Sequence, residues 1–179
     1  CASLAQRIKA SPHLAAASEA HARVNDWLAE IADRTAGKTL TQLLAAHPML
    51  DGLVMGLAEG SRYLWELARA DPARLVWLLE AEPERRFDEI LIDTKRAIAA
   101  ARDEAEVMRL LRHMKATGAL LIALADIGGI WPVMQVIERQ TRLADAAVGS
   151  AVDYLLADAQ RRGRLKVSDP ERPAAGSGY

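Results

Sequence analysis

Apolar residues recur along this chain at three- and four-residue intervals with polar residues between them, and no segment sustains the strict alternation of a strand. The pattern is clearest from Val107 to Ile130, and the rest of the chain is arranged around it. Val107, Leu110, Leu111, Met114, Gly118, Leu121, Ile122 and Ala125 fall on one helix face, and Ala119, Leu120 and Leu124 widen it around the cylinder. Arg109, Arg112, His113 and Lys115 make the start polar, whereas Gly118 to Ala125 is apolar throughout. The helix should therefore emerge at one end and be enclosed at the other. Its apolar part is far short of the roughly 20 residues that a membrane span needs, so it reads as the core of a soluble helical domain.

Punctuation between apolar runs divides the remainder. Residues 3 to 10 suit a short leading helix. Ser11 offers an N-cap with Pro12 at the first helical position, and Val24, Trp27, Leu28 and Ile31 give the inner stripe of a helix ending before Gly37. Thr39 or Thr41 is expected to cap a short helix through Leu40, Leu43 and Leu44, stopped by His47-Pro48. Leu50, Leu53, Val54 and Leu57 form the next inner face, and Gly60-Ser61 separates it from a helix with Tyr63, Leu64 and Leu67. Asp71-Pro72 opens a helix through Leu75, Val76, Leu78 and Leu79, and Glu82-Pro83 opens another through Phe87, Ile90, Leu91 and Ile98 to about Ala101.

Asp103 and Glu106 resemble a capping box before the central helix, and Gly128-Gly129 closes it. Pro132 starts the longest element, to about Arg162, with Val133, Val136, Ile137, Gln140, Ala144, Ala147, Val148, Ala151 and Leu155 expected on its inner face and Gly163 as its stop. Antiparallel packing of this helix on the central one is the simplest closure. The fold class is all-α: a multi-helix bundle over residues 1–163 with a long C-terminal helix, then a flexible linker over 164–179 marked by Pro170, Pro173, Gly176 and Gly178.

Composition supports this reading. A chain of 179 residues with 51% apolar content can bury a substantial core, and aromatics at 4% leave little to build strands from. The 23 basic and 24 acidic residues nearly cancel, so neither nucleic acid nor an anionic membrane is an expected partner. Cys1 is the single cysteine, which excludes an internal disulfide and suits the cytoplasm. A first residue that is Cys and not Met reads as the edge of something cut from a longer chain.

The sequence contains no phosphate-binding glycine loop, HExxH, paired CxxC, GxSxG or EF-hand pattern. His13, His21, His47 and His113 lack the spacing that would put two imidazoles on one helix face, so no residue is assigned as catalytic, cofactor-binding or metal-ligating. Asp126 is the one ionisable group in the apolar end of the central helix; it is expected either to be buried against an arginine or a helix start, or to contact a substrate or neighbouring domain. Gly52, Gly56 and Gly60 share a helix face and suggest close helix approach there. Arg161, Arg162, Arg164 and Lys166 suit the negative end of the long helix dipole, and Trp27, Trp65, Trp77 and Trp131 suit core or interface positions.

Two stretches are similar to a known family. Gly60-Ser61-Arg62-Tyr63-Leu64 followed by Asp71-Pro72 resembles a segment of the glutamine synthetase adenylyltransferases, with Arg62 in place of the usual proline. Leu110 to Lys115 (LLRHMK), Ala119 to Gly129 (ALLIALADIGG) and Leu143 to Ala147 (LADAA) look like that family's arginine-rich helix, its aspartate-isoleucine-glycine run and its following helix. Gly176 to Tyr179 (GSGY) resembles the approach to the first strand of its nucleotidyltransferase module, so the resemblance extends over about Gly52 to Tyr179.

The resemblance implies the helical, non-catalytic N-terminal portion of a two-headed regulator. One half transfers AMP from ATP to a tyrosine of glutamine synthetase, and the other removes it by phosphorolysis, releasing ADP. The form of the tail favours the AMP-removing half. The Gly-Ser and Asp-x-Asp residues that hold Mg²⁺ and nucleotide in the family come after this segment, so none is carried over to a position here. The implied partners are the chain's own downstream nucleotidyltransferase module and glutamine synthetase. The alternative is a free-standing helical interaction or ligand-binding module.

Overall fold

A computed structural model describes residues 2–165; Cys1, Lys166 and the glycine- and proline-rich stretch to Tyr179 lie outside them. Among the described residues every regular element is a helix: α1 (Leu4–Arg7), α2 (Ala17–Glu30), α3 (Thr35–Ala46), α4 (Pro48–Gly60), α5 (Arg62–Ala70), α6 (Pro72–Leu79), α7 (Pro83–Ala99), α8 (Glu104–Ile127) and α9 (Val133–Arg161). The all-α expectation holds.

Local chemistry sets most boundaries. Ser61 and Asp71 accept from the backbone N–H groups of Leu64 and Arg74, and Pro48, Pro72 and Pro83 occupy first turns, where a missing N–H is harmless. Asp103 accepts from the Glu106 N–H, but the return bond of a capping box shifts by one residue, since Glu106 accepts from the Arg102 N–H. That bond is the main reason the Glu106 carboxyl titrates below the usual glutamate range. At the other end of α8 the N–H groups of Gly129 and Ile130 close on the carbonyls of Asp126 and Ala125. This left-handed cap needs a glycine, and Gly129 has φ 66°.

Three expectations fail near the N-terminus. The leading helix is confined to Leu4–Arg7, because Ile8 turns extended and residues 8–16 form an irregular strap without helix. Ser11 and Pro12 belong to that strap, and α2 starts only at Ala17. α2 does end before Gly37, at Glu30, and Gly37 itself sits inside α3, where the space its Cβ would need is taken by the Ile31 carbonyl. Thr39 and Thr41 are likewise inside α3 and bond back to the carbonyls of Thr35 and Gly37, so neither caps.

α7, α8 and α9 pack mutually as a three-helix unit, with α8 and α9 running antiparallel. Gly118 lets Leu143 of α9 lie directly on α8: a Cβ there would be 2.7 Å from Leu143 Cδ1. α2 to α6 form a second group, tied in through α5 on α8 and α6 on α7. One buried apolar cluster runs through both, from Leu4 to Leu143, with Phe87, Leu120 and Leu121 fully enclosed. Of the predicted inner face of α8, Val107, Met114, Gly118, Leu121, Ile122 and Ala125 are buried, and Leu110 and Leu111 are partly buried. Among the described residues no helix is long and apolar enough to cross a membrane.

Candidate interaction surface

Part-buried acidic side chains hold several helices together, while the buried Thr117 hydroxyl and Trp27 indole N–H make no hydrogen bond. Glu84, at the start of α7, receives both Arg7 guanidinium nitrogens at 2.5 and 2.9 Å and the Trp131 indole N–H at 2.7 Å, so one carboxylate joins α1, α7 and the entry to α9. Burial raises its pKa, but the hydrogen bonds from Arg7 and Trp131 outweigh burial and hold the carboxyl below its ordinary range. One turn on, Asp88 pairs with Arg142 at 2.8 Å and Arg139 at 3.5 Å, while Trp131 meets Phe87 edge to face with ring centres 6.4 Å apart. Glu59 accepts from the N–H groups of Ala15 and Ala16 and so fastens the strap to α4.

The glycines of α4 serve the same segment. A Cβ at Gly52 or Gly56 would strike Ser11 or Pro12, so what approaches closely is the irregular strap and not a helix; Gly60 faces open space. Trp27 and Trp65 are buried edge to face, Trp131 is buried, and Trp77 is partly exposed under the Arg86 guanidinium at 3.7 Å. Arg161 and Arg162 at the end of α9 both pair with Asp158, which accounts for most of the described basic cluster; Lys166 lies outside the described residues. His13, His21 and His113 are exposed and far from one another in sequence, and among the described residues no group of three or more His, Cys, Asp or Glu is placed to hold a metal.

Asp126 is not buried against an arginine or a helix start. It is exposed, on the rim of a groove of about 590 Å³ between α8 and α9 that Leu64 of α5 closes. Ala119, Ile122, Ile127, Leu143 and Val148 make the groove apolar, with Lys115 further along the same rim. A charged residue is tolerated there because Asp126 lies on the side of α8 that α9 leaves uncovered.

The inner face predicted for α9 combined two faces. The buried line is Val136, Leu143 and Ser150, whereas Val133, Ile137, Val148 and Leu155 are about half exposed or more. The outward face carries Met134, Ile137, Thr141, Ala144, Val148, Ala151 and Leu155, spaced 3-4-3-4-3-4. Met134 is 71% exposed and Val148 55%. Such spacing belongs to the a and d positions of a coiled-coil seam, which is hidden when any three- or four-residue step is counted as one face. Ala144 and Val148 of this stripe also line the groove, so the two form one continuous apolar surface.

The sequence model of the glutamate-ammonia ligase adenylyltransferase family matches residues 50–176. The chain belongs to that family. It is 44% identical to a bifunctional glutamine synthetase adenylyltransferase/adenylyl-removing enzyme of Bradyrhizobium diazoefficiens, over 98% of this chain. Enzymes described in the same words from Rhodopseudomonas palustris strain HaA2 and Xanthobacter autotrophicus are 46% and 40% identical over 99% and 98% of the chain. In each case the chain spans 18% of the relative's length. No solved structure matches it.

Proposed function

We propose that this chain is a non-catalytic helical segment of a bifunctional adenylyltransferase/adenylyl-removing enzyme acting on glutamine synthetase. Its role is to position a nucleotidyltransferase module encoded further along the same polypeptide. The observation that carries the reading is identity near 44% along almost all of this chain to relatives more than five times its length. The engagement of acidic side chains at helix ends and between helices supports it. Glu84, Asp88, Asp71, Asp103, Glu59 and Asp158 are engaged in caps, straps and ion pairs that fix helices, which is the work of a scaffold. The Mg²⁺ and ATP or ADP of the reaction belong in this reading to the nucleotidyltransferase module, and residues 164–179 lead towards it.

The form of the tail, Gly176-Ser177-Gly178-Tyr179, favours the AMP-removing half. The test is to disturb the α8 core in the full-length polypeptide with Leu121→Asp and assay both reactions on glutamine synthetase. Removal of AMP should fall sharply while AMP transfer persists. Loss of transfer with removal intact would assign the segment to the other half, and retention of both would contradict a positioning role.

A further inference from the structure

The longest helix of the molecule turns an apolar heptad stripe outward, beside an apolar groove, and nothing in the described fold covers either. Single exposed apolar residues are ordinary on a protein surface, but six apolar residues and one threonine in strict 3-4 register along 22 residues of one helix, four of them large and exposed, are not. The register specifies the occupant's shape. A seam of period 3.5 is filled by another helix lying nearly parallel or antiparallel to α9, its side chains set between Met134, Ile137, Val148 and Leu155. Ala144 and Ala151 near the middle let that helix come close.

Charge decides between occupants. On one flank of the stripe stand Glu138 and Asp145, both exposed; the other flank, Gln140 and Ala147, is uncharged and opens into the groove. Two copies of this chain paired antiparallel would set the Glu138–Asp145 edge against itself, which like charges disfavour. Paired in parallel, that acidic edge would turn towards a groove rim where Asp126 repels it and Lys115 attracts it, so the pairing gains no net charge complementarity. A helix of different sequence, with Lys or Arg opposite Glu138 and Asp145, meets neither obstacle.

We infer that the α9 stripe and the α8/α9 groove are the docking surface for an amphipathic helix with basic flanks, supplied by another part of the same longer polypeptide. The inference rests on the proposed function for the existence of that polypeptide and deepens it by naming the surface. Placing the occupant in the same chain also explains why an exposed seam is tolerated: tethering raises the helix's local concentration enough to keep the stripe covered.

The test uses the full-length polypeptide carrying a photo-crosslinking amino acid at Ile137 or, separately, at Val148. Crosslinked peptides are identified by mass spectrometry in a mixture of isotopically light and heavy protein. Both probes should capture one helical segment outside residues 1–165, within the same molecule, with apolar residues at heptad spacing and Lys or Arg beside them. Adding Leu155→Glu should lower that yield about tenfold or more by placing a charge in the seam, while the 179-residue chain carrying the same substitution keeps its melting temperature. Light–heavy crosslinks would make a second copy the occupant, crosslinks to added glutamine synthetase would make it the occupant, and solvent-quenched probes would leave the surface bare; each overturns the inference. Assays of AMP transfer and removal on the unsubstituted protein separate the two claims. Activity without the expected crosslink sinks the docking surface alone, and the expected crosslink without either activity sinks the functional reading alone.

Discussion

Gly56→Ala is the substitution for which local and tertiary effects oppose each other most clearly. In the interior of a helix the change ordinarily stabilises by about 1 kcal/mol. Here the new methyl would lie 2.5, 2.8 and 2.9 Å from Cγ, Cδ and Cβ of Pro12, where carbon contacts ordinarily sit at about 3.5–4.0 Å. The ring cannot fold away as a flexible side chain would. Nor can the strap swing clear, because Lys9 and Ala10 donate to the Gly128 carbonyl on one side of Pro12, while Ala15 and Ala16 donate to Glu59 on the other. Overpacking of this kind costs about 1–3 kcal/mol, so the helix-propensity gain is cancelled or exceeded and the net loss is about 0–2 kcal/mol.

Gly149→Ala in α9 is the internal control, because nothing lies within 4 Å of the Cβ it would add. It should stabilise by about 1 kcal/mol, raising the melting temperature by about 2–4 °C for a domain of this size. Gly56→Ala should leave the melting temperature unchanged or lower it by up to about 8 °C, followed by circular dichroism on the same chain. Pro12→Ala removes Cγ and Cδ, so the double variant should recover part of the loss, with a coupling of about 0.5 kcal/mol or more. If Gly56→Ala stabilised as much as Gly149→Ala, the strap would not lie on α4 and the reasoning would be refuted.

Two further outcomes follow from the same structure. Because the folded pKa of Glu84 lies below its ordinary value of 4.5, the stability it contributes is fully present above that value and is lost as pH falls through the folded pKa. Glu84→Gln should therefore lower stability at neutral pH and flatten its decline in acid, read from urea midpoints at several pH values; an unchanged acid limb would remove Glu84 from its cause. Asp71→Ala deprives the Arg74 N–H of its partner at the start of α6 and should cost about 1 kcal/mol, whereas Asp71→Asn should cost less, as chemical denaturation will report.

The parts of the fold legible in the sequence are those where a residue's own chemistry determines the outcome. Ser61, Asp71 and Asp103 cap because a short polar side chain can reach its own helix start, Pro72 and Pro83 mark first turns because their rings dictate it, and His47-Pro48 ends α3 as expected. The core of α8 was readable because Gly118 to Ala125 is apolar throughout and is largely enclosed. Failures occur where a distant partner decides. Ser11-Pro12 has the signature of a helix start, yet Glu59 and Gly128 supply hydrogen bonds that hold the segment as an irregular strap. Gly37 reads as a stop, but tertiary packing uses it for close contact between α3 and the turn at Ile31.

The candidate surface was only half legible for a related reason. α9 has apolar residues on two opposite faces, and a count of helical intervals merges them; separating the 3-4 stripe from the Val136, Leu143 and Ser150 line requires knowing that α7 and α8 claim only the second. Asp126 was singled out correctly as unusual but placed inside, because the sequence of α8 does not say which of its flanks α9 leaves open. Family membership was accessible throughout, since the residues that carried the resemblance fall within the matched region, 50–176, apart from the last few of the tail.

The central claim is that this segment positions chemistry carried out elsewhere in its polypeptide. The most direct measurement is to incubate the purified 179-residue chain, and in parallel the full-length protein, with glutamine synthetase in its adenylylated form plus phosphate and in its unmodified form plus Mg²⁺ and ATP, following AMP on the synthetase by mass spectrometry. The account predicts no change in either reaction with the 179-residue chain and both reactions with the full-length protein. Transfer or removal of AMP by the 179-residue chain alone would contradict it.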